Sequence, residues 1–160
     1  MKTYKDLDVY QEAMELVTTI YTISKKFPKD EIYGLTNQMC RSAVSIPSNI
    51  AEGASRKSTK EYIQFLYISL GSNAELDTQL AISKNLGYIN ETQFISLSEK
   101  TERIGKMLNG IIKYLKNQQP TTNNQQRKTK NQQPTTNNQQ PTTKNEKPTT
   151  NNEKRKTNNE

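Results

Sequence analysis

The sequence predicts an all-α fold: an antiparallel up-down-up-down four-helix bundle with a disordered C-terminal tail. Three observations carry this. Long stretches space their apolar residues alternately by four and three, capping residues mark where such stretches begin, and no apolar side chain occurs from Asn117 onward. No strand-like alternation competes with the helical period.

The first helix reads from Val9, Ala13, Leu16, Ile20, Ile23 and Phe27, a seam on one helical face. Asp8 is placed to cap its start while Gln11 reaches back, and Pro28 forbids continuation. The second helix begins between Asp30 and Thr36 and reaches about Ser55, with a seam of Leu35, Met39, Ser42, Ile46, Asn49 and Gly53. Small residues at Ser42, Ala43 and Ser45 admit a close neighbour, and Pro47 removes one amide donor and should bend the helix. Ser58 and Glu61 open a long third helix from about Thr59 to Leu86, stopped by Gly87. Asn90 and Gln93 open the fourth, whose seam is Phe94, Leu97, Thr101, Ile104, Leu108, Ile111 and Leu115. At ~1.5 Å per residue these helices are roughly 30–40 Å long, and their short connections favour antiparallel neighbours.

All the apolar residues lie in 1–116, so the bundle is assigned there and residues 117–160 form a low-complexity Asn/Gln/Thr/Pro/Lys tail. NQQPTTNNQQ occurs twice in that tail, at 117–126 and 131–140. Such a composition cannot bury enough apolar surface to offset its ordering entropy. Two readings stand for it: a basic arm touching nucleic acid, or a tolerated repeat expansion, with the lack of aromatic residues favouring the second. The formal net charge of +7 is unevenly placed, +5 in the tail and +2 in 1–116, so the overall charge says little about the folded part.

Segment 62–70, YIQFLYISL, is apolar around the whole helical circumference and therefore needs cover on more than one side. The bundle core supplies one side. A second copy supplies the other, which makes the chain an expected homo-oligomer with Tyr62, Phe65, Tyr67 and Ile68 at the interface. The alternative is that the two tyrosines are simply half-exposed amphipathic side chains.

Catalytic arrangements fail by composition. The chain has no histidine and one cysteine, Cys40, which removes Ser-His and Cys-His pairs, Glu-x-x-His metal motifs and Cys-based zinc sites. No serine is followed three residues later by lysine, and the six glycines are too scattered for a phosphate loop. Glu75 and Asp77 face different ways on a helix, so Glu75 is read instead as a partner of Arg41 in a buried or interfacial ion pair. The expectation is a non-enzyme with no cofactor, no metal and no small-molecule substrate. The opening MKTYKDLDVY lacks the apolar stretch of a signal peptide, and no run approaches the ~18 apolar residues of a membrane span. A cytoplasmic location without a membrane partner is expected.

Charge placement says more. Up-down-up-down packing brings Lys2, Lys5, Arg56, Lys57, Lys60, Lys113 and Lys116 to one end, against Asp6, Asp8, Glu52 and Glu61. In an oligomer, repeated basic ends would hold phosphates of structured RNA, or of DNA, by counterion release. The competing reading is that termini and loops are where solvated lysines ordinarily go.

The segment GLTNQMCRSAVSIPSNIAEGASRKSTKEYIQFLYISLGSNAEL, 34–76, closely resembles the 23S rRNA intervening-sequence (S23) family, four-helix-bundle proteins. DLDVYQEAMEL near the start and FPKDEIYGL at 27–35 fit as well, and the resemblance covers about residues 4–116. SIPSNIAEG at 45–53, followed by GS-x-x-EL at 71–76, is the specific part. The resemblance implies an antiparallel bundle assembled as a homopentamer. Some members are encoded within inserts in bacterial 23S rRNA genes. A related accessory factor of diversity-generating retroelements is thought to bind nucleic acid and a reverse transcriptase through a basic barrel. The family brings no catalytic residues to carry over. Many relatives pair two arginines before SIPSNIAEG; here Cys40 takes the first place and Arg41 remains, which weakens a nucleic-acid role borrowed from the retroelement relative. The expected function is thus a non-catalytic homo-oligomer binding nucleic acid through its basic end. Its rival is a protein-interaction scaffold or accessory factor that receives a partner protein and touches no nucleic acid.

Overall fold

The computed structural model describes residues 3–118. Lys2 and the tail beyond residue 118 lie outside the described residues. Four helices follow one another: α1 Asp8–Ser24, α2 Leu35–Ser55, α3 Thr59–Asn85 and α4 Glu91–Gln118. Short 3₁₀ turns at Tyr4–Asp6 and Lys29–Ile32 precede α1 and α2. Cross-helix contacts fix the directions. Ser69 and Ser83 of α3 reach Ile46 and Met39 of α2, so position rises along one helix as it falls along the other. Glu12 and Glu15 of α1 pair with Arg103 and Lys100 of α4 in the same inverted order. Sequential neighbours and the α1–α4 pair all pack, which closes the four helices into an up-down-up-down bundle.

The buried core is aliphatic and central. Leu16 and Ile20 of α1, Met39, Ile46 and Ile50 of α2, Leu66, Leu76 and Leu80 of α3, and Ile104 and Leu108 of α4 are all fully buried. The seams read from periodicity supply much of this core. Ala43, Pro47, Ile50 and Ile112 are buried beside them, because a globular helix buries a wider stripe than a single seam.

The caps are partly relocated. Asp8 does not cap α1, since it already lies within the helix; the preceding turn is capped instead by Thr3, whose hydroxyl accepts from the Lys5 amide while the Asp6 carboxylate accepts from the Thr3 amide at 2.6 Å. Gln11 donates to the Lys5 carbonyl rather than reaching back to a cap. α1 stops at Ser24, although Phe27 beyond it is still buried. The other two starts follow their signals. The Ser58 hydroxyl accepts from the Glu61 amide, and Asn90 and Gln93 exchange reciprocal side chain–backbone bonds at 2.9 and 3.0 Å. Gly87 takes φ +74°, the left-handed stop that favours glycine. Just after it, the Tyr88 hydroxyl donates to Glu31 at 3.1 Å, tying the α3–α4 loop to the turn before α2. That bond, more than burial, raises the Tyr88 pKa above its ordinary 10.0.

Candidate nucleic-acid interface

The antiparallel order places the Tyr4–Asp6 turn, the end of α2, the start of α3 and the end of α4 at one end of the bundle. Three of the four carboxylates near this end are engaged locally, while Asp8 is exposed and makes no hydrogen bond or ion pair among the described residues. Asp6 caps Thr3, Glu61 accepts the Ser58 hydroxyl at 2.7 Å, and Glu52 accepts from Arg56 at 2.5 Å. Lys5, Lys57, Lys60 and Lys113 are exposed, and among the described residues none has a carboxylate within 4.0 Å. Their charge therefore faces solvent uncompensated at contact range.

Arg56 and Lys116 are held differently. The Arg56 guanidinium lies 4.9 Å from the centre of the Phe65 ring as well as on Glu52. Lys116 donates to the Tyr67 hydroxyl at 2.8 Å. Each basic side chain thus rests on an aromatic residue of α3. Two of the residues proposed for oligomer contact are in this way part of the basic end itself.

Those four residues divide in two. Tyr62 and Phe65 are half-buried, because α2 passes close to them at Gly53, where an added Cβ would stand 2.7 Å from the Phe65 Cβ and from the Tyr62 ring. Burial also pushes the Tyr62 phenol above its ordinary pKa. Tyr67 and Ile68 point outward, 48% and 51% exposed. The half of the apolar circumference that α2 leaves uncovered is therefore Tyr67 and Ile68.

Within one chain Arg41 and Glu75 do not form the ion pair the sequence suggested. Both are exposed with no bridge within 4.0 Å between them, and Glu75 accepts instead from Gln79 at 3.1 Å. They flank a polar groove of about 530 Å³ between α2 and α3. Periodicity gave no signal for its other wall, Tyr33, Asn37 and Gln38, since these residues lie on the side of the chain turned away from the seams. Cys40 is half-buried, its sulfur 3.7 Å from the Ser24 hydroxyl. Among the described residues no three His, Cys, Asp or Glu side chains gather as a metal site, and no helix is long and apolar enough to cross a membrane.

No functionally curated protein matches the chain. Among solved structures, it is similar to a crystal structure of a protein of unknown function from the S23 ribosomal protein family of Bacteroides thetaiotaomicron VPI-5482. That likeness has a TM-score of 0.62 and 27% identity, covering 66% of this chain and 98% of the other. Residues 5–110 match the family described as 23S rRNA-intervening sequence protein. With nearly all of the bundle inside that match, the chain belongs to the 23S rRNA-intervening sequence protein family.

Proposed function

We propose that the protein is a non-catalytic homo-oligomer that holds structured RNA against its basic end. The supporting observation is the set of four exposed lysines, Lys5, Lys57, Lys60 and Lys113, none of which has a carboxylate within 4.0 Å among the described residues. Such cations bind phosphate by releasing condensed counterions, and repetition of the end around an oligomer multiplies their number. The exposed Tyr67 and Ile68 supply the apolar contact for a second copy, and the family resemblance favours five.

Filter binding of the full chain to rRNA fragments at 50 and 200 mM salt tests this. Four phosphate contacts per copy predict a fall of about a hundredfold across that range. Lys57→Glu combined with Lys60→Glu should flatten the slope. Absent or salt-insensitive binding removes the proposal.

A second reading rests on the same Tyr67 and Ile68: a scaffold that receives a partner protein and makes no nucleic-acid contact. It predicts pull-downs containing protein without RNA, and no consequence of Lys57→Glu.

A further inference from the structure

The α2–α3 groove lies in the half of the bundle away from the basic end, along the first turns of α2 and the second half of α3. Its volume of about 530 Å³ falls within the ~300–1,000 Å³ usual for small-ligand sites. Three of its features are unusual together. Tyr33, at the mouth, is 92% exposed, so its ring packs against almost nothing in the chain. Arg41 is exposed, with no carboxylate within 4.0 Å among the described residues. Asn37 and Gln38 add two amides with both donor and acceptor atoms, also exposed.

A naked aromatic face, a cation with no carboxylate at contact range and adaptable amides are the groups that recognise a single nucleotide. An aromatic ring stacks on any base, a guanidinium takes the phosphate, and amides meet the base edge. Only an unpaired base can offer both a free face and a free edge, because pairing and stacking occupy them in a duplex. Glu75 refines the choice. Carboxylate oxygens accept hydrogen bonds, so Glu75 favours a base carrying an exocyclic amino group over the carbonyl edge of uracil.

We infer that this groove receives one unpaired, amino-bearing base of a folded RNA, stacked on Tyr33 with its phosphate on Arg41. The inference deepens the proposed RNA reading and rests on it: the lysine end would supply salt-dependent affinity, and the groove would supply discrimination between bulged and fully paired RNA.

The full chain is tested with two hairpins of equal charge closed by the same all-uridine loop, one with a fully paired stem and one carrying a single bulged 5-iodocytidine in the stem. After irradiation, trypsin cleaves behind Lys29 and Arg41 and releases peptide 30–41, whose one tyrosine is Tyr33. The expected result is nucleotide mass on Tyr33 and tighter binding of the bulged RNA. Tyr33→Ala, which removes an exposed ring outside the core, should weaken the bulged RNA by about tenfold and leave the paired one unchanged. A bulged uridine should lose part of the preference. Equal binding of both hairpins with a normal salt slope, or Tyr33→Ala without effect on the preference, overturns the groove and leaves the basic end standing. A Tyr33 crosslink with a salt slope of about one phosphate contact supports the groove and removes the basic end instead. A change in sedimentation on Tyr33→Ala with bulge preference intact would assign the ring to a second copy and overturn the inference.

Discussion

The α2–α3 and α1–α4 pairs solve the same packing problem with different residues. α1 and α4 meet the core with large aliphatics, Leu16, Ile20, Leu97, Ile104 and Leu108, and bridge their outer edge with Glu12–Arg103 and Glu15–Lys100. α2 and α3 pack more extensively than any other described pair, yet much of their meeting surface is small or polar. Gly53 lies against Tyr62 and Phe65, the Ser69 hydroxyl donates to the Ile46 carbonyl at 3.0 Å, and Ser72 donates to Ser45 at 2.8 Å. Close approach lets short side chains bond directly to the opposing helix. It also makes the pair intolerant of added volume, since interiors at close packing have no slack. Aliphatic seams tolerate some rearrangement; a hydroxyl ladder across two backbones does not.

Gly53→Ala should produce the largest difference between the two regions. The new methyl meets the Phe65 Cβ and the Tyr62 ring at 2.7 Å, and a Cβ cannot swing aside as a flexible chain end would. Overpacking of about 1–3 kcal/mol exceeds the gain in helix propensity of at most about 1 kcal/mol, so a net loss of about 1–2 kcal/mol is expected. Gly110→Ala on α4 meets nothing within 4 Å and should instead raise stability by about 0.5–1 kcal/mol. Thermal melts of the two variants should move in opposite directions; movement in the same direction would break the contrast. Ser69→Ala comes next. It removes a fully buried donor from a backbone carbonyl and should cost about 1 kcal/mol, measured by urea denaturation with unchanged slope. No measurable loss would mean that the ladder follows from the close approach without contributing to it.

This contrast also explains what could be read in advance. α1 and α4 were legible because nearly all their buried positions are apolar, Ser24 and Thr101 excepted, so period and burial mostly coincide. In α3 the buried face includes Ser69, Ser72, Asn73, Gln79 and Ser83, and hydropathy cannot mark a face whose buried members are polar. Ser42 and Gly53 of α2 did fall on the expected seam, but their partners on α3 could not be named before the helices were paired. Much the same holds for the candidate site. The lysines of the basic end followed from topology alone, because short connections dictate which helix ends meet. The local engagement of Glu52, Asp6 and Glu61, which leaves those lysines without a carboxylate within 4.0 Å, required side-chain geometry. So did the parting of Arg41 and Glu75, whose helical positions suited a pair while Gln79, one turn along α3, took the carboxylate.

The smallest expected effect lies across α1 and α4. Glu12 and Arg103 approach to 2.9 Å, with side chains 20% and 66% exposed. With its arginine open to solvent the pair gains little, because water screens it and two long side chains lose rotamer freedom to hold it. A double-mutant cycle on Glu12→Gln and Arg103→Gln should give a coupling of about 0.5 kcal/mol at low salt, fading as ionic strength approaches 1 M and the Debye length shrinks to about 3 Å. A coupling above about 1.5 kcal/mol that survived high salt would mean that polar contacts hold α1 to α4 as they hold α2 to α3. A small, salt-sensitive value places the adhesion of this pair in its aliphatic seams. The ions then act on alignment more than on strength: Glu15–Lys100, one turn along, repeats the same offset, so a shift of either helix by a turn would part both pairs together.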